Sequence, residues 1–407
     1  MMTKILITGN GFDRSLHLPT LYKHFMDITD YLLIPDPHEF EDVYGYIGED
    51  SLKIFENYNA FEFNERNIVE MIQIAQSNLW FNFFQNESRI NTWIDFENRI
   101  EYLLDVILNS LKKIKENPEL ILAKDSTPHI HPKKVGLSII DSIELARFGI
   151  FSGGDLGTQF FSPRYIIMRH QEFYDFNFQK ISEDLNRSLN DFKKLFNLYL
   201  ETFVIPLYNN IKEQPDLSQF LLIEYHFTFN YTPSFEALFD FTKYRRRIDN
   251  RYIHGITDSK QNKIVLGIDE IPEMGIDTSD FIPFTKTHQT LLYDTDHRFL
   301  EEVGIYNESE YSIYFYGHSL DSSDKEYINE VFEFQKKLKY QLTIVVIYHN
   351  TDSKTKLISN LIKIRGRKEI RDWSKRKQLI FLKSNSKALN DHLLDKKRGN
   401  VITARSI

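Results

Sequence analysis

The chain has 407 residues, of which 42% are hydrophobic and 14% aromatic, with no cysteine and a formal net charge of −8. This composition supports a large folded core and excludes a chain that is disordered throughout, while the acidic balance argues against a protein whose main task is to coat nucleic acid. The absence of cysteine excludes disulfides, a thiolate nucleophile and zinc sites built on cysteine pairs, and it fits a reducing cytoplasm.

The first predicted strand covers residues 4–8 and ends in a glycine turn. The apolar residues Ile5, Leu6 and Ile7 lead into the segment Thr8, Gly9, Asn10, Gly11, Phe12 and Asp13. Because glycine lets a ligand approach main-chain N–H groups closely, a strand that ends in Gly-x-Gly is typical of a phosphate-binding turn. A dinucleotide-binding fingerprint has a third glycine that is missing here, so a plain tight turn stays an alternative.

The polar residues of this turn interrupt the apolar run after a few residues, which argues against a signal peptide. No stretch of the sequence approaches the roughly 20 apolar residues of a membrane-spanning helix. We therefore expect a cytoplasmic protein without a membrane partner.

Residues 41–219 show helical spacing of apolar side chains. One predicted stripe consists of Ile100, Leu103, Leu104, Ile107 and Leu111, and another of Leu189, Phe192, Leu195, Phe196 and Phe203. Between them, residues 121–165 are rich in proline and glycine and are predicted to be loop-like. We interpret residues 41–219 as a helical insertion into a Rossmann-like nucleotide-binding domain formed by residues 1–40 and 220–407.

The remaining predicted strands all follow residue 220, at 222–227, 263–266, 312–316, 341–348 and 378–382. Polar segments follow three apolar or aromatic runs in this region: Thr228 to Thr232, Tyr252 to Gly255, and Tyr316 to Leu320. Loops at the carboxyl ends of parallel strands converge on one crevice, so the sequence predicts an α/β fold, a Rossmann-like and mainly parallel sheet, with a site at this edge.

Two helix starts are predicted at these loops. Thr232 has the residue type of an N-cap, and the spacing of Ser323 and Glu326 is that of a capping box. Both polar loops would then lie at helix N-termini, where the helix dipole favours anions.

The pattern formed by the glycine turn, Leu18-Pro19, Thr228-x-Asn230, His254-Gly255 and Gly317-x-Ser319 resembles the sirtuin-like NAD-binding fold. The segments Leu6 to Asp13 with Leu18-Pro19-Thr20 and Tyr22, Trp93-x-Asp95-x-Glu97, and Tyr316 to Leu320 resemble the bacterial abortive-infection family AbiH. These resemblances imply an antiphage effector with an NAD-handling core.

The resemblance also implies roles for individual residues. Asn230 would hold the nicotinamide ribose and the catalytic water, and His254 would act as the base or orient the ribose. The residues that would contact the nucleotide are Gly9, Asn10, Gly11, Phe12, Asp13, Pro19, Thr20, Tyr231, Gly317, His318, Ser319 and Asn350. Because the zinc module of protein deacylases is absent together with the cysteines, NAD hydrolysis is favoured over deacylation.

The chemistry of nicotinamide release fits these residue types. Its transition state resembles an oxocarbenium ion, so a site must fix the sugar hydroxyls, admit one water and offer a proton acceptor. Asparagine donates and accepts hydrogen bonds at once, and neutral histidine accepts a proton near neutral pH. Nicotinamide leaves as a neutral group, so an acid catalyst is dispensable and Asp13 could stabilise developing positive charge.

Two other functions stay open. The fold could bind a nucleotide such as ADP-ribose without turnover, as a sensing and interaction module. It could also be a nuclease toxin that uses Asp13, Asp95, Glu97 or Asp324 with Mg²⁺. We expect no resident metal and no cofactor beyond NAD as substrate. We also expect an activity that is restrained until a phage-derived trigger releases it, with the helical insertion either capping the pocket or mediating self-association.

Overall fold

The computed structural model describes residues 2–35, 43–45, 63–86, 93–122, 127–155, 157–170, 172–211, 217–239, 247–257, 263–272, 275–295, 299–303 and 310–394. The side chains of residues 93–95, 209, 210 and 302 lie outside this description, and so do the predicted contributions of Trp93 and Asp95.

The strands fall into one large sheet and two small ones. In the described part of the chain they are β1 (Met2–Thr8), β2 (His129–Ile130), β3 (Phe151–Gly154), β4 (Gln159–Phe161), β5 (Ile166–Arg169), β6 (Glu172–Phe176), β7 (Tyr225–Thr228), β8 (Asp249–Tyr252), β9 (Glu310–Tyr316), β10 (Leu342–Tyr348) and β11 (Leu379–Lys383).

The large sheet has the order β11-β10-β9-β1-β7-β8, and all neighbouring strands are parallel. Numbered along the chain within this sheet, the order is 3-2-1-4-5-6, which is that of a dinucleotide-binding Rossmann sheet. The central strand β1 pairs Ile7 with Phe227 of β7 on one side and with Phe315 of β9 on the other. The predicted α/β fold with a mainly parallel, Rossmann-like sheet is confirmed.

In the large sheet, one predicted strand is wrong and one strand was missed. Residues 263–266 form no strand, although 264–266 are buried, and the outer position is taken by β8 instead. The side chains of β8 are only partly buried or exposed, because it lies at the edge of the sheet. An edge strand of this polarity lacks the apolar run by which the others are recognised.

The helices of the described residues surround these sheets. They are α1 (Asn10–Ser15), α2 (Tyr22–Leu32), α3 (Glu65–Ser77), α4 (Leu79–Gln85), α5 (Trp93–Lys115), α6 (Ile139–Arg147), α7 (Phe178–Tyr199), α8 (Ser234–Leu238), α9 (Lys286–Tyr293), α10 (Lys325–Glu333), α11 (Thr351–Arg365), α12 (Arg367–Lys375) and α13 (Lys387–Leu393). Among them, none combines the length and the apolar composition that a membrane crossing requires.

The middle of the chain contains long amphipathic helices, as predicted, but also short strands. Both predicted stripes are buried, the first on α5 and the second on α7 and the turns that follow it. The segment at 121–165 is not only loop, since it holds α6 and the antiparallel sheet β2-β4-β3. The division of the chain into an insertion at 41–219 and a flanking domain stays a prediction.

Apolar side chains pack on both faces of the large sheet. Ile5 and Ile7 point into one cluster, which α10, α11 and α12 cover, whereas Leu6 points into the other. That second cluster runs without a break into the side chains of α5 and α7. The middle of the chain is therefore packed against the same sheet that carries the candidate site, and each fully buried large side chain contributes about 1.5–3 kcal/mol to this packing.

Candidate functional site

The glycine turn after β1 lies directly against the loop after β9, at the point where the strand order of the sheet reverses. The N–H of Gly9 donates to the carbonyl of Tyr316 at 3.2 Å, and the N–H of Gly11 donates to the carbonyl of Gly317 at 2.8 Å. Gly317 has a φ of +71°, and a Cβ added to it would collide with the backbone nitrogen of Phe12 and lie 2.5 Å from the carbonyl carbon of Gly11. The glycines thus allow two loops to touch, and the N–H groups of Gly9 and Gly11 are bound to protein carbonyls.

The segment after the glycine turn is held by hydrogen bonds. Asn10 binds Thr20, and Pro19 binds the middle of the chain. The side chain of Asn10 donates to the carbonyl of Thr20 at 3.0 Å and accepts from its hydroxyl. The carbonyl of Pro19 accepts from the hydroxyl of Tyr199 on α7 at 2.6 Å. These contacts fix the segment after the glycine turn.

Asn230 and Asp13 lie beside the glycine turn. The Nδ2 of Asn230 donates to the carbonyl of Gly9 at 3.1 Å, and only 6% of Asn230 is exposed. The carboxylate of Asp13 accepts from the hydroxyls of Thr232 and Ser234. Burial raises the pKa of Asp13 to about 6, although hydrogen bonds from these hydroxyls and from Asn230 lower it.

Both predicted helix caps at these loops are wrong. Helix α8 begins at Ser234, and the hydroxyl of Thr232 donates to Asp13 instead of capping it. Helix α10 begins at Lys325 after a short 3-10 turn, and Asp324 precedes it without a side-chain cap. The side chain of Asp324 faces two histidines instead, as described next.

His254, from the loop after β8, and His318, from the loop after β9, flank the carboxylate of Asp324. The Nε2 of His254 lies 3.7 Å from Oδ1 of Asp324, and the Nε2 of His318 lies 3.6 Å from Oδ2. The Nδ1 of His318 accepts from the N–H of Leu320 at 2.9 Å, so in the neutral imidazole the proton is on Nε2, facing Asp324. The Nε2 of His254 has no hydrogen-bond partner within the described residues.

The pKa values of His254, His318 and Asp324 are all lower than usual for their residue types. Burial lowers the pKa of His254 to about 4, against the attraction of Asp324, and it also lowers the pKa of His318. Burial would raise the pKa of Asp324, but Lys286 and the two histidines outweigh it, and its pKa is lowered. At neutral pH the cluster is therefore a carboxylate between two neutral imidazoles.

Aromatic rings enclose this cluster. The ring of Phe229 meets His254 and His318 edge to face, at 5.1 and 4.5 Å between ring centroids. The hydroxyl of Tyr231 donates to the carbonyl of Val265 at 3.0 Å. Phe12 is buried and packs edge to face on Tyr316 at 5.6 Å. Tyr231 and Phe12 therefore shape the site by packing.

Two predicted nucleotide-binding residues face outward. Ser319 is exposed, and its carbonyl accepts from Asn360 on α11 at 3.0 Å. Asn350 is also exposed and is the N-cap of α11, where its side chain accepts from the N–H of Ser353 at 2.8 Å. Both follow strands at the same sheet edge, but their side chains are exposed, whereas those of Asn230 and His254 are buried.

Lys286 and Asp269 are charged residues near the site that the sequence did not single out. The buried Nζ of Lys286 lies 2.8 Å from Glu97 Oε2 and 3.6 Å from Asp269 Oδ1, and it donates to the carbonyl of Ser323 at 3.2 Å. Burial would lower the pKa of Lys286, but Glu97, Asp324 and Asp269 together raise it. Nothing in the local sequence around residue 286 signals such a position.

Three carboxylates of the predicted nuclease alternative have described side chains, and each has different direct partners. Asp13 binds hydroxyls, Glu97 pairs with Lys286, and Asp324 faces histidines. Among the described residues, no group of three or more histidine, aspartate or glutamate side chains is placed to hold a metal ion.

Two open cavities lie away from this cluster. One of about 550 Å³ is lined by residues such as Tyr225 and Asp249 at the amino ends of β7 and β8. The other, of about 510 Å³, lies at the junction of α11 and α12, next to Trp373. Asn230, His254 and His318 are each less than 10% exposed, so their side chains fill the space between the loops.

A family model described as Bacteriophage abortive infection AbiH matches residues 5–348. This match includes residues 5–8 of β1, the middle of the chain, and every residue of the cluster described above. No curated protein and no solved structure matches the chain.

Proposed function

The chain belongs to the bacteriophage abortive infection AbiH family, and from that premise we propose that it is an antiphage effector that hydrolyses NAD or a related nucleotide at the carboxyl edge of its sheet. The family supports the antiphage role. The substrate and the reaction are our inference from the site.

The strand order is the observation that carries this proposal. In a sheet of order 3-2-1-4-5-6, nucleotides bind outside the carboxyl ends of the strands, where the order reverses between the first and fourth strands. Here these strands are β1 and β9, and the loops that follow them contain Gly9 and Gly317. Asn230 contacts Gly9 directly, and His318 continues the loop after β9. The candidate residues thus lie at the position that this topology favours for a nucleotide.

The residues of the cluster fit the hydrolysis of an N-glycosidic bond. In this reaction the bond from nicotinamide to C1′ of the ribose breaks, and a water oxygen bonds to C1′. His254 would accept the proton that the water loses, and Asp324 would stabilise the resulting imidazolium. Asn230 would orient the ribose and the water, with nicotinamide, ADP-ribose and one proton as the products.

The closed arrangement of the loops supports the restraint of this activity. Because Asn230 and His254 are 6% and 8% exposed, a dinucleotide cannot reach them until the loops separate. An enzyme that destroys NAD without restraint would harm its host. We propose that a phage-derived trigger or self-association opens the site.

The test measures NAD turnover. Purified protein is incubated with NAD, alone and with extract of phage-infected cells, and nicotinamide, ADP-ribose and cyclic products are resolved by chromatography. We expect turnover in at least the second condition, and its loss in Asn230→Ala and His254→Ala. His349→Ala is the matched control, since His349 is exposed and follows β10 at the same sheet edge.

Three other results would reject NAD hydrolysis or favour one of the two alternative functions. Intact NAD in both conditions, and an unchanged NAD content in infected cells, would reject hydrolysis. Tight binding of ADP-ribose without turnover would indicate a nucleotide sensor. Mg²⁺-dependent degradation of nucleic acid would indicate a nuclease.

A further inference from the structure

Lys286 connects the middle of the chain to the two-histidine cluster. Its side chain is 11% exposed, and it contacts Glu97 on α5 and the carbonyl of Ser323. Ser323 immediately precedes Asp324, so the ammonium lies at the backbone that presents the central carboxylate. The described contacts of Lys286 therefore reach both the middle of the chain and the proposed site.

The imidazoles lie too far from Asp324 to compensate its negative charge fully, so this charge depends on the ammonium of Lys286. The gaps of 3.6 and 3.7 Å between Asp324 and the two imidazoles exceed the length of a normal hydrogen bond. Neutral imidazoles at these distances compensate a buried negative charge only weakly. A buried carboxylate without a compensating cation takes up a proton or draws one onto a neighbour.

A purely structural ion pair is the competing explanation. Replacing a buried ion pair by well-packed apolar residues is often neutral or stabilising, so stability alone is a weak reason for this arrangement. The hydrogen bond to Ser323 O also anchors Lys286 to the residue that precedes Asp324, beyond what its pairing with Glu97 requires.

We propose that Lys286 is a positioning residue that keeps Asp324 ionised between the imidazoles of His254 and His318. The effect of Lys286 on catalysis rests on the proposed function, whereas its effect on the charge of Asp324 does not. The middle of the chain takes part through Glu97, which holds the ammonium from helix α5.

Other titratable groups also face the cluster and form the background of any titration. They are Glu97 on α5, Asp269 in the segment ahead of α9, Asp321 beside His318, Tyr231 in the loop after β7, and Tyr327 on α10.

The test titrates the histidines directly in the protein without substrate. The protein is labelled with ¹⁵N-histidine, and the signals of His254 and His318 are assigned from His254→Gln and His318→Gln. In Lys286→Met, we expect the cluster to take up its first proton at a pH at least about 1 unit higher than in the wild-type protein, which is a tenfold change in proton affinity. Lys286→Arg keeps the positive charge and should restore the wild-type midpoint.

Lys193→Met is the matched control, because Lys193 is also buried and contacts α9 through Gln289 and Tyr293. It should leave both imidazole midpoints unchanged. If Lys286→Met does not fold, Lys286→Gln tests the same loss of charge while it keeps a hydrogen-bond donor for Glu97. An unchanged midpoint in the neutral variants, or an equal shift in Lys193→Met, would overturn the proposal.

Turnover is measured separately. If NAD is hydrolysed, Lys286→Met should lower kcat and move the acidic limb of the kcat profile upward with the imidazole midpoint, with KM nearly constant. A lower kcat without that displacement would indicate a structural role. If no variant and no wild-type protein hydrolyses NAD, the proposed function fails, and the titration still decides whether Lys286 controls the cluster.

Discussion

Substitution of Gly317 by alanine tests whether the contact between the glycine turn and the loop after β9 holds the candidate site together. An alanine at a φ of +71° costs about 1–2 kcal/mol in backbone strain. Its Cβ would also displace the backbone at Gly11 and Phe12 and weaken the hydrogen bond from Gly11 to Gly317, which contributes about 1 kcal/mol. With the buried contacts that shift, we expect a total loss of about 3–5 kcal/mol in the free energy of unfolding.

The matched control is Gly136→Ala. Gly136 has a φ of +73°, and a Cβ there would meet nothing within 4 Å. Gly136→Ala introduces the same backbone strain as Gly317→Ala and changes the unfolded chain in the same way, so we expect it to lower the free energy of unfolding by only about 1 kcal/mol. Urea denaturation of both variants and the wild-type protein, followed by tryptophan fluorescence and circular dichroism, separates the two effects. If both variants lose the same stability, the close approach of the loops does not hold the site together.

Two further substitutions test buried charges by urea denaturation across pH. Burial raises the pKa of Asp13 to about 6, so its protonation stabilises the folded state below about pH 4, and this stabilisation is lost as the pH rises through 6. Asp13→Asn should remove this fall in the free energy of unfolding, which is at most about 3 kcal/mol between pH 4 and 7. An unchanged dependence of stability on pH in Asp13→Asn would contradict the raised pKa of Asp13. Burial lowers the pKa of Lys193 to about 7, so the folded state binds fewer protons than the unfolded chain between pH 7 and 10.5 and stability rises over that window. Lys193→Met should abolish this rise, of at most about 5 kcal/mol, and be at least as stable as wild type at pH 7; a variant that keeps the rise would show that Lys193 is not its source.

The sheet could be predicted where apolar runs mark buried strands. β1, β9 and β10 are rich in isoleucine, valine, leucine, phenylalanine or tyrosine because they are buried on both faces, and such runs are visible without a structure. β8 has no such run, since it lies at the sheet edge with partly exposed side chains. The run at 263–266 misled for the opposite reason, because residues 264–266 are buried without pairing in the sheet.

The candidate site could be predicted only in part, because its residues depend on long-range packing. Asn230 and His254 were recognisable from their positions after strand-like runs and from the family resemblance. Lys286 carries no local signal, because it is one of 50 basic residues and its partners lie far away in the chain at Glu97 and Ser323. The residue types around Asp324 predicted a capping box of Ser323 and Glu326 instead of a buried cluster, since the same residue types suit both.

The position of β1 has a consequence for how this protein is made. Residues 2–8 leave the ribosome well before their partners in the sheet, which are β7 at residues 225–228 and β9 at residues 310–316. Strand β1 must therefore remain without its lateral neighbours while the more than 200 residues between it and β7 are translated, and contacts so distant in sequence form slowly. A nascent chain that stops before β9 cannot assemble the central ladder, so an effector of this design would stay inert until β9 has been translated.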